Sequence, residues 1–268
     1  KGKSLNRPVY DLLGGPMRET VPVYSHLSPI DDIKKCVEDA KRQVAAGYSA
    51  LKLDPFSPEM SRSHRRYIDG KISPSAAAYA EDLMSAIRAE VGIDTELMID
   101  AHGNFDVSTA TNLCRRMEKF GLTWFEEPLQ PESLDAHRQL RNNTDINLCI
   151  GERKYTRWDF APYLQEGLVN YIMPDICWTG GISEMKRIAI LAETYYVPIS
   201  PHDASGPINV ISGAHVLMNV PNIYRLEMSD HSINAYNAVI TENLDIKDGY
   251  ITLPDKPGLG IDLDYDFI

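Results

Sequence analysis

The chain has 268 residues, of which 43% are apolar and 24% are charged, and its formal net charge is −11. This length can bury one large core, since a single (β/α)8 barrel needs about 250 residues. The acidic balance argues against a surface that binds nucleic acid or an anionic membrane.

The four cysteines are scattered and form no Cys-x-x-Cys pair, which is typical of a reduced, cytoplasmic protein. No apolar run approaches the roughly 18 residues of a membrane span, and no signal peptide is visible. The chain begins at Lys1 rather than at Met, so we expect that preceding residues are absent, and a targeting segment among them is an open alternative. The cysteines are Cys36, Cys114, Cys149 and Cys177.

Eight short apolar runs recur at a roughly regular interval and predict β-strands. They are TVPVYSH (20–26), SALKLDP (49–55), TELMIDAHG (95–103), LTWFEEP (122–128), INLCIGE (146–152), LVNYIMPDI (168–176), VPISPHD (197–203) and IYRLEMSD (223–230).

Four segments between these runs have apolar residues at helical spacing, as at Ile33, Val37, Ala40 and Val44 in the first. Eight strands that alternate with helices in this length favour an α/β fold, specifically a (β/α)8 TIM-type barrel rather than a doubly wound sheet. The helical segments are 31–47, 73–92, 108–121 and 183–196.

Two segments depart from this alternation. Residues 56–73 are long and polar and follow the second strand, so we expect a loop on the catalytic rim of the barrel. Residues 243–268 are rich in Gly, Pro and Asp and are expected to pack outside the barrel.

Three carboxylates, Asp100, Glu126 and Glu152, each end a short apolar run, and they are separated by 26 residues from 100 to 126 and again from 126 to 152. This spacing is about one strand-helix-strand unit, so consecutive parallel strands would deliver all three to one end of the sheet. Three oxygen ligands favour a hard divalent cation, and Mg²⁺ is the best candidate. The chain is therefore predicted to be a metal-dependent enzyme, and a bound cation would offset the negative charge locally for an anionic substrate.

Active sites of such barrels lie at the carboxyl ends of the strands, and nearly every predicted strand ends there in polar residues. Alternate residues of a strand share a face, so Asp100 and His102 can point the same way, as can Lys52 and Asp54. Any one strand-end acid could instead cap a helix, but the even spacing disfavours this for the set of three. The strand-end residues are His26, Lys52, Asp54, Asp100, His102, Glu126, Glu127, Glu152, Asp175, His202, Asp203 and Glu227.

His202 and Asp175 end neighbouring predicted strands, in the sequences ISPHDASGP and MPDI. The carboxylate could hold the imidazole by a hydrogen bond and raise its basicity. A single His is more often structural, but this position at the rim favours a general base.

The sequence resembles the enolase superfamily, and within it the mandelate racemase subgroup, over essentially its whole length. The motifs that carry the resemblance are KGKSLNRPVYDLLGG (1–15), MIDAHGNF (98–105), WFEEPL (124–129), IGE (150–152), PDICWTGGISE (174–184), PHDASGPI (201–208) and RLE (225–227).

This resemblance implies that Asp100, Glu126 and Glu152 ligate Mg²⁺, with Glu126 preferred over Glu127 as the first Glu of the FEEP motif. It also implies a general base formed by His202 with Asp175. Glu227 would lie near the substrate carboxylate as an electrophilic hydrogen-bond partner.

Within the subgroup, the Asp-x-His of Asp100 and His102 resembles acid-sugar dehydratases of the galactonate dehydratase type. In that group this His is the acid that protonates the departing β-hydroxyl. Racemases of the subgroup carry Lys-x-Lys on strand two, where this chain has Lys52-Leu53-Asp54. Lys52 either contacts the substrate carboxylate or pairs with Asp54, and Asp54 and His26 are further candidates for substrate binding.

The family resemblance also predicts domain boundaries. Residues 1–242 would form the barrel domain, with 1–19 as the end of a linker from an N-terminal capping domain that this sequence lacks. Residues 243–268 would pack on that cap. Family members assemble as dimers to octamers, so a homo-oligomer is expected.

The primary functional hypothesis is the Mg²⁺-dependent dehydration of a sugar acid, an aldonate or aldarate, to a 2-keto-3-deoxy acid. The alternative is a cycloisomerase or epimerase that acts on a related sugar acid through the same enediolate. A non-catalytic binder is a third possibility, and the complete set of three carboxylates with the His202–Asp175 pair disfavours it.

Overall fold

The computed structural model describes residues 1–57 and 70–268, so most of the loop predicted over 56–73 lies outside the described residues. The chain divides into two compact units. Unit one comprises Lys1–Tyr24, Gly151–Ala161 and Ile172–Ile268, and unit two comprises Ser25–Ile150 and Pro162–Tyr171.

The strands in the described part of the chain are short, with six residues in the longest. They are β1 (Val21–His26), β2 (Ala50–Leu53), β3 (Glu96–Asp100), β4 (Trp124–Glu126), β5 (Leu148–Ile150), β6 (Tyr171–Ile172), β7 (Leu226–Glu227), β8 (Asp245–Lys247) and β9 (Tyr250–Thr252).

The α-helices that the structure describes include all four predicted from the sequence. No helix in these residues is long and apolar enough to cross a membrane. The helices are α1 (Gly2–Leu5), α2 (Val9–Leu12), α3 (Ile33–Ala45), α4 (Pro74–Val91), α5 (Val107–Met117), α6 (Leu134–Arg141), α7 (Thr156–Gln165), α8 (Gly181–Thr194), α9 (Pro207–Leu217) and α10 (Ile233–Ala238).

Unit two alternates parallel strands with helices α3 to α6. The second half of β1 pairs with β2, and β2, β3, β4 and β5 then pair in chain order, all parallel. Apart from the half-buried Glu96 at the start of β3, β2 to β5 are buried along their whole length, which explains their nearly continuous apolar sequences. The carboxyl ends of these strands therefore present their residues along one edge of the sheet.

Helices α3 to α6 begin at side-chain caps. In each case the cap side chain accepts a hydrogen bond from the backbone N–H three residues later, which satisfies a donor that has no partner within the helix. The four caps are Asp32, Ser73, Asp106 and Ser133.

In unit one, the first half of β1 pairs in parallel with β7 and antiparallel with β9, which forms a hairpin with β8. The strand predicted over 197–203 is reduced to isolated bridges at Ile199 and His202. Pro198 and Pro201 explain this difference, because proline has no N–H to donate to a strand ladder. The bridge between Asp175 and His202 nevertheless aligns the two predicted strand ends.

Candidate active site

Unit two places two of the predicted ligands side by side. Asp100 and Glu126 are direct partners in the register of β3 and β4. The ammonium of Lys52, which is 1% exposed, lies 2.9 Å from Glu126 Oε2 and 3.8 Å from Asp100 Oδ2. Trp124 Nε1 donates a hydrogen bond of 3.2 Å to the same Glu126 oxygen. The buried cation thus compensates part of the repulsion between two buried carboxylates.

His102 bridges two carboxylates at the same strand end. Its Nε2 lies 3.3 Å from Asp100 Oδ2, and its Nδ1 lies 3.0 Å from Asp54 Oδ2. Its backbone N–H also donates to Asp100 Oδ1 at 2.8 Å, and its φ of 51° is in the left-handed region. The imidazole is 44% exposed, so it can exchange a proton with a molecule bound at this edge.

Asp54 is fixed by the turn that follows β2. Its Oδ1 accepts hydrogen bonds from the backbone N–H groups of Phe56 at 2.9 Å and Ser57 at 3.0 Å. Burial raises the pKa of Asp54, and the contact with His102 opposes that rise. Lys52 is expected either to contact the substrate carboxylate or to pair with Asp54. Its described contacts are instead with Glu126 and Asp100, while the Asp54 side chain contacts His102.

His26 is the last residue of β1 and is half-buried. In the register of β1 and β2 it is the direct partner of Lys52. Its carbonyl oxygen accepts a hydrogen bond of 2.7 Å from Gln43 Nε2, which ties the strand end to α3. The predicted role of His26 in substrate binding stays a prediction.

Unit one brings the predicted base and its partner into contact. His202 Nδ1 lies 2.8 Å from Asp175 Oδ2, and Asp175 is fully buried. Asn209, at 2% exposure, donates from Nδ2 to the same oxygen at 3.1 Å, and the Cys177 N–H donates to Asp175 Oδ1 at 2.7 Å. Three donors therefore hold one carboxylate, which fixes the orientation of the imidazole.

The other ring nitrogen of His202 faces two more carboxylates. Its Nε2 lies 3.1 Å from Glu152 Oε2 and 3.9 Å from Glu227 Oε2. Burial lowers the pKa of His202, but Glu227, Asp175 and Glu152 together outweigh it and raise the pKa to about 11. The imidazole is therefore cationic at neutral pH as long as all three carboxylates are anionic.

The structure adds Asp203 and Tyr236 to the residues around Glu227. The Asp203 N–H donates to Glu227 Oε2 at 2.9 Å, and the Tyr236 hydroxyl donates to Asp203 Oδ2 at 3.1 Å. Burial, followed by repulsion from Glu227, raises the pKa of Asp203 to about 6. The sequence marks Asp203 as a strand-end residue without a role, whereas nothing in the sequence pattern points to Tyr236 or Asn209.

Among the described residues, Asp100 and Glu126 of unit two and Glu152 of unit one are buried carboxylates that could hold a metal ion. Carboxylate oxygens are hard donors of the kind that Mg²⁺ prefers, so the donor set fits the predicted ion. Glu127 is not a member of this group.

Comparisons with known proteins agree with this fold. A sequence model of the family described as Enolase C-terminal domain-like matches residues 35–267. The chain is 33% identical to D-gluconate dehydratase from Thermoproteus tenax, with 97% of the chain matched to 51% of that protein. It is 31% identical to D-galactarolactone cycloisomerase from Agrobacterium fabrum, with 99% of the chain matched to 69% of that protein.

Solved structures show the same similarity. The chain superposes with a TM-score of 0.91 on a mandelate racemase/muconate lactonizing enzyme-like protein from Rubrobacter xylanophilus, at 35% identity, covering 99% of this chain and 72% of that one. The chain thus spans about half of the length of the first of these proteins and about 70% of the other two. The predicted fold class, the C-terminal barrel domain of the enolase superfamily, is confirmed by these matches. The chain belongs to the Enolase C-terminal domain-like family.

Proposed function

We propose that the protein containing this chain is a Mg²⁺-dependent hydro-lyase that dehydrates an aldonate or aldarate to a 2-keto-3-deoxy acid. The observation that carries the proposal is the position of His202, whose two ring nitrogens contact Asp175 and the predicted ligand Glu152. A base held beside a metal-binding carboxylate is suited to remove a proton next to a substrate carboxylate. The similarity to D-gluconate dehydratase supports the same class of substrate.

The proposal assigns each step to a residue of this chain. His202 takes the proton from the α-carbon, and the electron pair of that bond forms an enediolate. The electron pair then forms the C2–C3 double bond and expels the C3 hydroxyl, which leaves as water after it takes a proton from His102. The resulting enol tautomerises to the 2-keto acid, so the net change is the loss of one water.

Other residues of this chain position the reactants. Asp175 and Asn209 orient His202, and Glu227 is proposed to hydrogen-bond the substrate carboxylate as charge develops. Asp100, Glu126 and Glu152 would hold Mg²⁺, which supplies electrostatic stabilisation of the enediolate when bound.

The division of roles between a histidine base and a metal site is the one expected for the family. Sites of the enolase superfamily in general pair a His or Lys base with Mg²⁺ ions that stabilise an ene-diolate. Ligation of Glu152 to a cation would also neutralise its charge. The pKa of His202 would then fall, and more of the imidazole would be in the neutral form that a base requires.

The first experiment is a screen of the full-length protein with Mg²⁺ against a library of aldonic and aldaric acids, with 2-keto acid formation as the readout. His202→Asn should abolish both product formation and exchange of the α-proton with deuterium. His102→Asn should retain some exchange while elimination stops, because only the acid is lost. Full dehydration by the His102 variant would exclude His102 as the acid.

The second candidate is a cycloisomerase or epimerase, which the similarity to D-galactarolactone cycloisomerase favours. It would share the proton abstraction and differ afterwards. Product mass separates the two, because dehydration yields a product lighter by one water and isomerisation leaves the mass unchanged. The absence of Mg²⁺-dependent exchange of the α-proton with deuterium would favour a non-catalytic binder.

Three further expectations belong to this proposal. An N-terminal capping domain of the kind that the family resemblance implies, with residues 243–268 packed on it, would complete the site. Homo-oligomers from dimers to octamers are expected, and light scattering of the full-length protein tests this. A cytoplasmic location is supported by four cysteines that are all free thiols in the structure.

A further inference from the structure

Trp178 is a large aromatic residue that is 48% exposed, although it lies beside the proposed base His202. Its ring centroid is 6.3 Å from that of the His202 imidazole, and the two planes are tilted by 46°. A half-exposed tryptophan next to reactive groups is suited to line a ligand site, because its ring offers a large apolar surface at low entropic cost.

The turn that carries Trp178 is fixed by Asp175, the hydrogen-bond partner of the proposed base His202. The N–H groups of Trp178 and Thr179 both donate to the Asp175 carbonyl, at 3.2 and 2.8 Å, and the Cys177 N–H donates to the Asp175 side chain. Asp175 therefore fixes both the backbone at residue 178 and the orientation of the imidazole. A backbone held in this way is preorganised, so a ligand would not have to order the turn on binding.

The other two tryptophans differ in ways that provide controls. Trp124 is completely buried. Trp158 is 70% exposed, and its ring is covered on one face by the Arg157 guanidinium, 4.9 Å from the ring centroid. Arg157 in turn is paired with Glu184, so Trp158 belongs to a contact between α7 and α8.

We infer that Trp178 is a substrate-binding residue whose indole face packs against the C–H groups of the carbon chain of the sugar acid while His202 contacts the α-carbon. Polyhydroxylated chains have apolar C–H faces, and these are attracted to the electron-rich face of an aromatic ring. This inference rests on the proposed function, since it is the distance to the base that places the ring against substrate. It assigns the ring to substrate binding and to no chemical step.

The kinetic test compares Trp178→Ala, Trp178→Phe and the control Trp158→Ala in the full-length protein, with the acid identified by the screen. Trp178→Ala should raise KM about tenfold with kcat within about threefold, since the contact is worth on the order of one aromatic pair. Trp178→Phe should restore most of the KM, and Trp158→Ala should leave both constants unchanged. An unchanged KM in Trp178→Ala, or an equal rise in Trp158→Ala, would overturn the inference.

A binding test is independent of turnover. In a Trp158→Phe background, the contribution of Trp178 is the difference in acrylamide quenching between this variant and the double variant Trp158→Phe/Trp178→Phe, and Trp124 contributes little to quenching because it is buried. D-gluconate, D-galactonate and D-xylonate, each with Mg²⁺, are the probes, and a binding acid should at least halve the quenching constant. Protection without any product would support the aromatic contact while the proposed dehydration fails. Product formation without protection would support dehydration but overturn the inference. The inference would also be overturned if Trp178 resisted quenching before any acid was added, or if none of the three acids protected it.

Discussion

Replacing Lys52 by Met tests whether its buried ammonium stabilises unit two. At an effective dielectric constant of about 20, charges 2.9 and 3.8 Å apart attract by about 6 and about 4 kcal/mol. Part of this is offset by the cost of burying the ammonium, and removing one partner from a buried ion pair typically costs about 3–5 kcal/mol. We expect Lys52→Met to lose that much free energy of unfolding, because Glu126 and Asp100 would remain buried and repel each other. Met keeps the aliphatic stem of Lys, so the change is mainly one of charge.

The measurement is urea denaturation in EDTA, so that no divalent cation substitutes for the missing ammonium. The control is Lys41→Met, which removes an exposed ion pair with Glu90 at 3.4 Å and should cost less than about 1 kcal/mol. If Lys52→Met loses no more than the control does, the reasoning from burial and distance is wrong.

Two further predictions concern single carboxylates. Glu126→Gln should abolish the rise in melting temperature that Mg²⁺ produces, whereas Glu127→Gln should retain it, because Glu126 and not Glu127 is the proposed ligand. Equal responses of the two variants in a thermal-shift assay would reject this choice of ligand. Asp203 has a pKa raised to about 6 from its ordinary value of 3.8, so its favourable contribution to folding is present below about pH 4 and is lost as the pH rises through 6. Asp203→Asn should therefore gain stability relative to the unsubstituted protein between pH 4 and pH 7, measured by denaturation at both values, and a pH-independent difference would contradict the raised pKa.

The sequence predicts the strands and helices well where hydrophobic pattern and local chemistry agree. The run ending at Asp100 is apolar and bounded by turn residues, and the helix 31–47 has one apolar stripe, so both predictions match the structure within a few residues. Helix α9 (Pro207–Leu217) is not predicted, because it is buried on almost every side and therefore has no polar face to create a period. The strand expected over 197–203 is shorter in the structure because its prolines cannot donate to a ladder.

The same limits apply to the site. Spacing of strand ends predicts that His202 and Asp175 are neighbours, and they are 2.8 Å apart. Spacing does not say which long side chain reaches which carboxylate, so only the structure shows the contact of Lys52 with Glu126 and Asp100. Asn209 and Tyr236 come from helices whose position depends on packing, and pattern alone gives them no distinguishing feature.

The left-handed backbone at His102 has a consequence for mutational scanning and for the divergence of activities at this position. A φ of 51° is readily adopted by Gly and tolerated by Asn, Asp and His, whereas β-branched side chains are strained there. A saturation library at residue 102 would therefore separate first by stability and only then by chemistry, with Val, Ile and Thr destabilised by about 1–2 kcal/mol. The informative comparison is between His and Asn, since they share the backbone conformation and differ in the capacity to donate a proton.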